Sequence, residues 1–480
     1  MDWTLSSIAK PGDLILGQTG RFGLGPKYVL KEKFRSSHMY VVGLTGKGKS
    51  KFLEHCIYQD IANGRGCGVI DPHSDLIDDL LNLLLAKGVL NKPEILERII
   101  YVDPSRTDYI VPFNVLEKGD GSSYDLATSI IEAFRRAWPD SLKEAPHFSN
   151  VMMAALITLI ENDLTLVQMP TLLTNSEFRE DCLQNVENQS VLEFFHDRYD
   201  RWGRETPGLI ESTLNKVSAF TLNPRLKSML GQKENRLDFR EIMDEGKILL
   251  VDLGKVDSET NRLLGNLITT GLEREMRRRK NRRLWNLTLD EFANYVANEG
   301  SAKTLANVFS EGRKFGLGLT VAHQDLEQLN PRMLGAITNV HTKVVFGVGR
   351  YDAEYLGKAI GQVDTEAVKR RPKQESQYEL FSSLVEQWED WIRGLRFQPS
   401  RHMTVALQDG TVMKLRTIAL PPGDNDQTDI GLILERLVRR SDINSRTANQ
   451  NRSIGHIHEV IAPFHSINHR ERVMRVNPES

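Results

Sequence analysis

Cysteine is scarce in this chain. Three thiols in 480 residues, Cys56, Cys67 and Cys182, are an odd number without paired spacing, which excludes a disulfide framework and a zinc ribbon and fits a reducing compartment. All three are read as buried thiols. Long hydrophobic runs are missing as well: the most continuous apolar segment, residues 151–160, is about half of what a bilayer span needs. The opening Met1-Asp2-Trp3-Thr4 does not start a signal peptide, so the expectation is a cytoplasmic protein that is not membrane-embedded. Neither sign of charge dominates: 62 Lys and Arg against 64 Asp and Glu leave a formal net charge of −2. A surface coated in positive charge is thereby excluded, and any contact with nucleic acid has to use a local basic patch or an assembled channel. Internal repeats are absent, and the histidines at His456, His458, His465 and His469 stand without cysteine companions, which gives no zinc-ligand pattern.

What is present is a chain that is 40% hydrophobic, enough for one large core and one or two smaller ones. Residues 43–50 read GLTGKGKS, which fits G-x-x-x-x-G-K-[ST], the phosphate-binding loop between a strand and a helix. The spacing has a chemical reason. Glycines at Gly43, Gly46 and Gly48 let successive backbone N–H groups turn inward around a phosphate, and the following helix adds its positive end. Lys49 then reaches the β- and γ-phosphates of ATP as a mobile point charge, and the Ser50 hydroxyl coordinates Mg²⁺. The nucleotide-binding set is Gly43, Leu44, Thr45, Gly46, Lys47, Gly48, Lys49, Ser50 and Lys51. The apolar run 39–42 upstream and the helically spaced Phe52, Leu53, Cys56, Ile57 and Ile61 downstream place the loop between a strand and a helix, as its chemistry requires.

Short β-prone runs at 13–16 and 28–30 among several glycines predict a small strand-rich N-terminal element. After the loop come a strand at 66–71, a helix at 76–85 and a strand at 99–102; the alternation argues for a parallel α/β sheet. From 124 to 233 helical periodicity replaces the β pattern, with Trp138, Phe148, Phe194, Phe195, Trp202 and Phe220 as core. The α/β pattern returns with a strand at 247–253, a helix to about Arg283, a strand at 284–292, a helix at 302–315, and strands at 318–324 and 342–348. A basic linker at 369–373, a helix at 382–395, a hairpin about Asp409-Gly410, a helix at 429–440 and a polar tail complete the chain. The expected division is 1–37 as the strand-rich element, 38–122 and 237–365 as two parts of one ATPase core, 123–236 as an all-α insertion, 366–440 as helix, hairpin and helix, and 441–480 as tail.

A loop of this kind needs an acidic residue at the end of an apolar strand for the metal, and a neighbouring carboxylate to activate water. Leu287-Thr288-Leu289-Asp290-Glu291 supplies both: Asp290 for Mg²⁺ and Glu291 for the water. Asp252 is read as a strand-end residue. Gln324, ending the next strand, can contact both the γ-phosphate and the attacking water. Arg313, at the end of the intervening helix, either favours that helix's negative terminus or, in a ring, reaches a neighbour's ATP. The catalytic set is thus Lys49, Glu291, Gln324 and Arg313, with Ser50 and Asp290 at the metal, all gathered with the loop on one sheet edge. Seven positive residues in ten between Arg274 and Arg283 are read as a solvated helix face in preference to a phosphate-binding strip.

GLTGKGKS, VIDPHSDL (69–76), LTLDEF (287–292), EGRKFGL (311–317) and VAHQDLEQL (321–329) together resemble the conjugative coupling proteins of type IV secretion and the HerA/FtsK ATPases, over about residues 12–420. The resemblance implies an additional-strand, RecA-like P-loop fold carrying an all-α domain, and a hexameric ring that moves DNA through its centre. It also implies that Arg313 is the arginine acting in trans. Two departures stand out: there is no transmembrane segment, so a separate membrane or effector partner is expected, and Ser74 stands where relatives often carry glycine. The leading reading is an ATP-hydrolysing DNA translocase acting as a homo-hexamer, on single- or double-stranded DNA. An alternative from a different class is an ATPase ring that scaffolds an effector such as a nuclease in phage defence; a protein-secretion motor fits the same site.

Overall fold

The alternating apolar strands assemble into one sheet. The computed structural model describes residues 12–20, 25–106, 110–143, 147–295, 299–364 and 383–420, with isolated positions between 431 and 437. The expected basic linker at 369–373, most of the helix at 429–440 and the tail lie outside the described residues. Eleven strands form the sheet: β1 (Leu14–Gln18), β2 (Lys27–Leu30), β3 (Met39–Val42), β4 (Cys67–Asp71), β5 (Ile99–Val102), β6 (Ile248–Asp252), β7 (Trp285–Leu289), β8 (Leu317–His323), β9 (Thr342–Val345), β10 (His402–Leu407) and β11 (Val412–Arg416). Their order is β2-β1-β11-β10-β9-β3-β8-β7-β4-β6-β5. From β9 to β5 every neighbouring pair is parallel; from β9 through β10, β11 and β1 to β2 every pair is antiparallel. β8 lies between β3 and β7, which is the additional-strand arrangement expected of the fold class.

Helices of eight or more residues are α1 (Lys49–Ala62), α2 (Asp75–Ala86), α3 (Ser123–Ala137), α4 (Phe148–Glu161), α5 (Ser176–Leu183), α6 (Thr206–Thr221), α7 (Ser258–Met276), α8 (Glu299–Glu311), α9 (Pro331–Thr338), α10 (Arg350–Ile360) and α11 (Leu384–Arg396). The period-2 alternation of the strands sorts the core by face. Met39, Val41, Val69, Ile248 and Leu250 pack with α1 and α2, whereas Tyr40, Val42, Ile70, Leu249 and Val251 join one cluster with α3, α4, α6 and α7. Trp138, Phe148, Phe195 and Phe220 are buried in that second cluster, with Phe194 and Trp202 partly buried against it. The three cysteines are free and buried, as expected.

Registers bring the carboxyl ends of the parallel strands to one height: Val42 pairs with His323 and Val345, Leu289 with Ile70 and Val321, Asp71 with Asp252, and Val102 with Val251. The N-terminal strands are part of the main sheet, because Gln18 of β1 pairs with Arg416 of β11. The Asp409-Gly410 hairpin forms as expected, with Gly410 at φ 86°, and α11 opens with a capping box from Ser383 and Glu386.

Several boundaries differ from those the apolar pattern suggests. β7 stops at Leu289, because Glu291 has φ 42° and turns the chain before Phe292. β9 stops at Val345. The helix that precedes β8 is α-helical only to Glu311; residues Gly312–Phe315 tighten into a 3₁₀ turn ending at Gly316 in a left-handed conformation. α7 ends at Met276, so most of the basic run 274–283 is off the helix. Arg279 is buried there: it donates to the carbonyls of Phe315, Gly316, Met243 and Arg283 and pairs with Asp244 at 3.1 Å. Arg274 and Arg278 pair with Glu275, and Arg277 with Glu273 and Glu311. The run is therefore largely consumed in local pairing, and Arg279 is a structural pin.

Arg279→Ala removes a donor from four carbonyls and from the half-buried Asp244 carboxylate, although Gly316 O keeps the Trp285 amide and Asp244 the Lys280 amide, so a loss of about 3 kcal/mol is expected, read as a fall in the denaturant midpoint at unchanged slope. A lysine there has a single ammonium for five acceptors and does not restore the midpoint.

Candidate functional site

β3 delivers the chain to Gly43 at the carboxyl edge, and α1 carries it away from Lys49. Between them Gly46 and Gly48 adopt φ of 77° and 106°, backbone that a side chain disfavours by about 1–2 kcal/mol. A Cβ on Gly46 would meet nothing within 4 Å, so the turn is open on that side. The amide of Leu44 donates to Gly347 O at 2.9 Å and that of Gly43 to His323 O at 3.3 Å, which fastens the loop's entry to the chain leaving β9 and β8.

The side chains at the strand ends converge on this loop. Lys49 Nζ lies 2.6 Å from Glu291 Oε1 and 3.8 Å from Asp290 Oδ1. Gln324 Nε2 donates to the same Glu291 oxygen at 2.9 Å, and Thr45 Oγ1 donates to Gln324 Oε1 at 2.8 Å. The result is a connected path, Thr45 to Gln324 to Glu291 to Lys49, that spans both ends of the phosphate loop and the ends of β7 and β8. Burial pushes the Asp290 carboxyl up to about 6, with Lys49 opposing the rise and Glu291 adding to it. Asp290 Oδ1 accepts the Glu291 amide at 3.0 Å, which helps hold Glu291 at its positive φ.

Thr45, Lys49, Asp290, Glu291 and Gln324 are thus brought together. Ser50 is half-buried in the first turn of α1. Lys51 turns its ammonium away, to Glu54 and Asp79 at 2.8 Å each, so only its backbone remains for a nucleotide. Lys47 Nζ donates to Gln398 O at 3.3 Å. Arg313 is not at this edge. It is exposed and precedes β8, whereas Gln324 follows it, and its charge is felt by His38 and His341 at the starts of β3 and β9. Seven residues of β8 separate the two edges, a span of about 20 Å. The expectation that all four catalytic candidates share one edge therefore fails for Arg313.

Three features escape the sequence reading. His323 is fully buried, and burial holds its imidazole down to about 4, so the ring is neutral. Its Nδ1 sits 2.8 Å from Asp325 O and therefore carries the proton; Nε2 accepts from Tyr40 OH at 2.7 Å. This fixes the backbone just before Gln324. Asp71 and Asp252 are fully buried and occupied: Asp71 accepts the amides of His73, Leu76 and Ile77, capping α2, and Asp252 accepts from Ser74 Oγ, Tyr101 OH and Lys255 Nζ. Ser74 has φ 71°, a left-handed position that suits glycine; its hydroxyl bond to Asp252 at 2.5 Å is what serine adds. Third, residues 398–401 lie along the outside of the loop.

The residues fit a nucleotide with Mg²⁺. The glycine turn is open, Lys49 is a buried cation held, among the described residues, by carboxylates, and the Ser50 hydroxyl and Asp290 carboxylate are hard oxygen donors of the type Mg²⁺ takes.

Asp290 binds its proton more tightly in the folded chain, at about 6 against 3.8. Its contribution to stability is therefore greatest below 3.8 and is lost as the pH rises through about 6. Lys49 limits that loss. In metal-free protein, Lys49→Ala moves the window upward, and its stability deficit relative to the parent grows by about 1 kcal/mol from about pH 5 to about pH 8. Melting temperatures at the two pH values measure this; an equal deficit would show that Lys49 does not hold the Asp290 charge.

Comparison with known proteins bears on the fold. The family described as "TraM recognition site of TraD and TraG" matches residues 285–390, which include β7, β8 and the carboxylate pair. No curated protein matches the chain in sequence. Among solved structures, the bacterial conjugative coupling protein TrwBdeltaN70 superposes with a TM-score of 0.58 at 16% identity, covering 83% of this chain and 88% of that one. The plasmid coupling protein TrwB in complex with ADP and Mg²⁺ gives 0.57 at 17%, covering 86% and 91%. VirB4 of Thermoanaerobacter pseudethanolicus gives 0.54 at 14%, covering 87% and 99%. The chain has the RecA-like P-loop fold of these proteins, and both its matched segment and its whole architecture resemble those of the conjugative coupling ATPases.

Proposed function

We propose that this chain is an ATP-hydrolysing motor that assembles as a ring, expected to be hexameric, and uses ATP with Mg²⁺ to move DNA. The observation that carries the reading is the path from Thr45 through Gln324 and Glu291 to Lys49. A glutamate held by a lysine and a glutamine at the mouth of a glycine turn has the parts of a water-activating site. Lys49 exchanges its carboxylate partner for the β- and γ-phosphates, which frees Glu291 to accept a proton from water. Gln324, tethered to Thr45 and to Glu291, orients that water. Ser50 and Asp290 would hold Mg²⁺, which would supply charge neutralisation on the phosphates. The DNA and ring parts of the reading are supported by likeness to coupling proteins.

The catalytic role proposed for Arg313 depends on the ring. An exposed arginine at the amino edge lies too far from its own phosphate loop to act there, so a catalytic role requires a neighbouring subunit. The buried Arg279 holds the turn at Phe315 and Gly316 that positions it.

ATP turnover measured with and without DNA tests the reading: DNA is expected to stimulate it several-fold, and Lys49→Ala or Glu291→Gln to reduce it by about a hundredfold or more. Turnover indifferent to both single- and double-stranded DNA would contradict the DNA role. Arg313→Ala is expected to be as inactive as Glu291→Gln, yet mixing the two variants restores activity, because an intact arginine of one subunit then meets an intact site of the other. A mixture that stays inactive removes the trans role.

A further inference from the structure

The outer side of the phosphate loop is covered by four residues, 398–401, that connect α11 to β10. Gln398 is buried, and both ends of its amide are used: Nε2 donates to Val345 O at 3.0 Å and Oε1 accepts from Thr404 Oγ1 at 3.1 Å. The segment is thereby fixed to β9 and β10 before it reaches the loop. Ser400 Oγ then donates to Gly46 O at 3.2 Å, and the Arg401 amide donates to Lys47 O at 2.8 Å. Lys47 Nζ returns a bond to Gln398 O. A Cβ on Gly48 would stand 3.3 Å from both Cα and N of Arg401, so the two backbones are in contact.

Arg401 makes this approach with φ 68°, a left-handed conformation that is strained for a non-glycine residue. The strain is held by Thr417, whose amide donates to Arg401 O at 2.9 Å and whose hydroxyl accepts from Arg401 Nε at 3.3 Å. Thr417 directly follows β11, so the hairpin grips Arg401 from both strands.

The consequence follows from the planarity of the peptide unit. In a trans peptide the C=O and N–H point in opposite directions. Lys47 O, drawn outward by the Arg401 amide, belongs to the same unit as the Gly48 N–H, which is therefore aimed inward, at the position where a phosphate sits in a loop of this kind. We propose that residues 398–401 are a positioning strap, with Arg401 as its key residue: the strap holds the Gly46 and Lys47 carbonyls outward, sets the inward orientation of the Gly48 amide, and so makes nucleotide affinity depend on the β10–β11 hairpin. This rests on the reading of residues 43–50 as a nucleotide site.

The test is binding of a fluorescent, non-hydrolysable ATP analogue with Mg²⁺ to the full chain, beside the melting temperature of each variant. Arg401→Pro removes the N–H and the left-handed conformation together and is expected to weaken binding about tenfold. Arg401→Gly keeps the N–H and suits the positive φ, and is expected to recover most of that affinity. Ser400→Ala, at an exposed position, is expected to weaken binding about threefold with little change in melting temperature. If Arg401→Pro does not fold, Ser400→Ala and the order of Arg401→Gly against Arg401→Ala decide, alanine keeping the N–H but not tolerating the backbone. Parent-like affinity in Ser400→Ala, together with no difference between the glycine and alanine variants, overturns the strap. Failure of the parent chain itself to bind the analogue overturns instead the nucleotide reading of the loop.

Discussion

Seven parallel strands that end at one height are the constraint on which the site depends. Because the ladder pairings put the ends of these strands within about two residues of one another, every connection leaving that edge starts from nearly the same plane. The glycine loop, Asp290, Glu291 and Gln324 need no long side-chain reach to meet. The interposed β8 puts Gln324 between the loop and the carboxylates, and this is why one glutamine can bond to Thr45 on one side and Glu291 on the other.

The edge concentrates charge that the interior opposes. Asp71, Asp252 and Asp290 all stand at or just past strand ends, all with little or no access to water. The fold deals with them in different ways: backbone amides for Asp71, hydroxyls and Lys255 for Asp252. Among the described residues Asp290 receives one amide and a distant lysine, and burial raises its proton affinity, as it also raises that of Asp71 against three amides. Of these three, the carboxylate with the fewest protein partners is the one placed beside the phosphate loop, which fits the metal role proposed for it.

Much of this was legible because it is local. GLTGKGKS carries its own turn chemistry, the apolar runs sort by period two onto the two faces of the sheet, and Asp409-Gly410 dictates its hairpin. Boundaries were missed where hydrophobicity continues past a turn, as at Phe292 and Phe346, or where helix-favouring arginines follow a helix that ends on tertiary grounds, as at 277–283. The misplacement of Arg313 had a signal in the sequence: it precedes the strand that Gln324 follows, and in a parallel sheet those two ends are opposite edges. No such signal existed for His323, whose neutral ring depends on Tyr40 and on burial, or for residues 398–401, whose contact with Gly46 and Lys47 is wholly tertiary.

The contacts of Lys47 with Gln398 bridge 351 positions of chain. On a ribosome the outer wall of the glycine turn is made only after every helix and strand of the parallel core has emerged. A nascent chain therefore carries a recognisable phosphate loop before it has the backbone that braces it, and, with the strap proposed above, competence to hold nucleotide tightly arrives only with the last hairpin of the sheet.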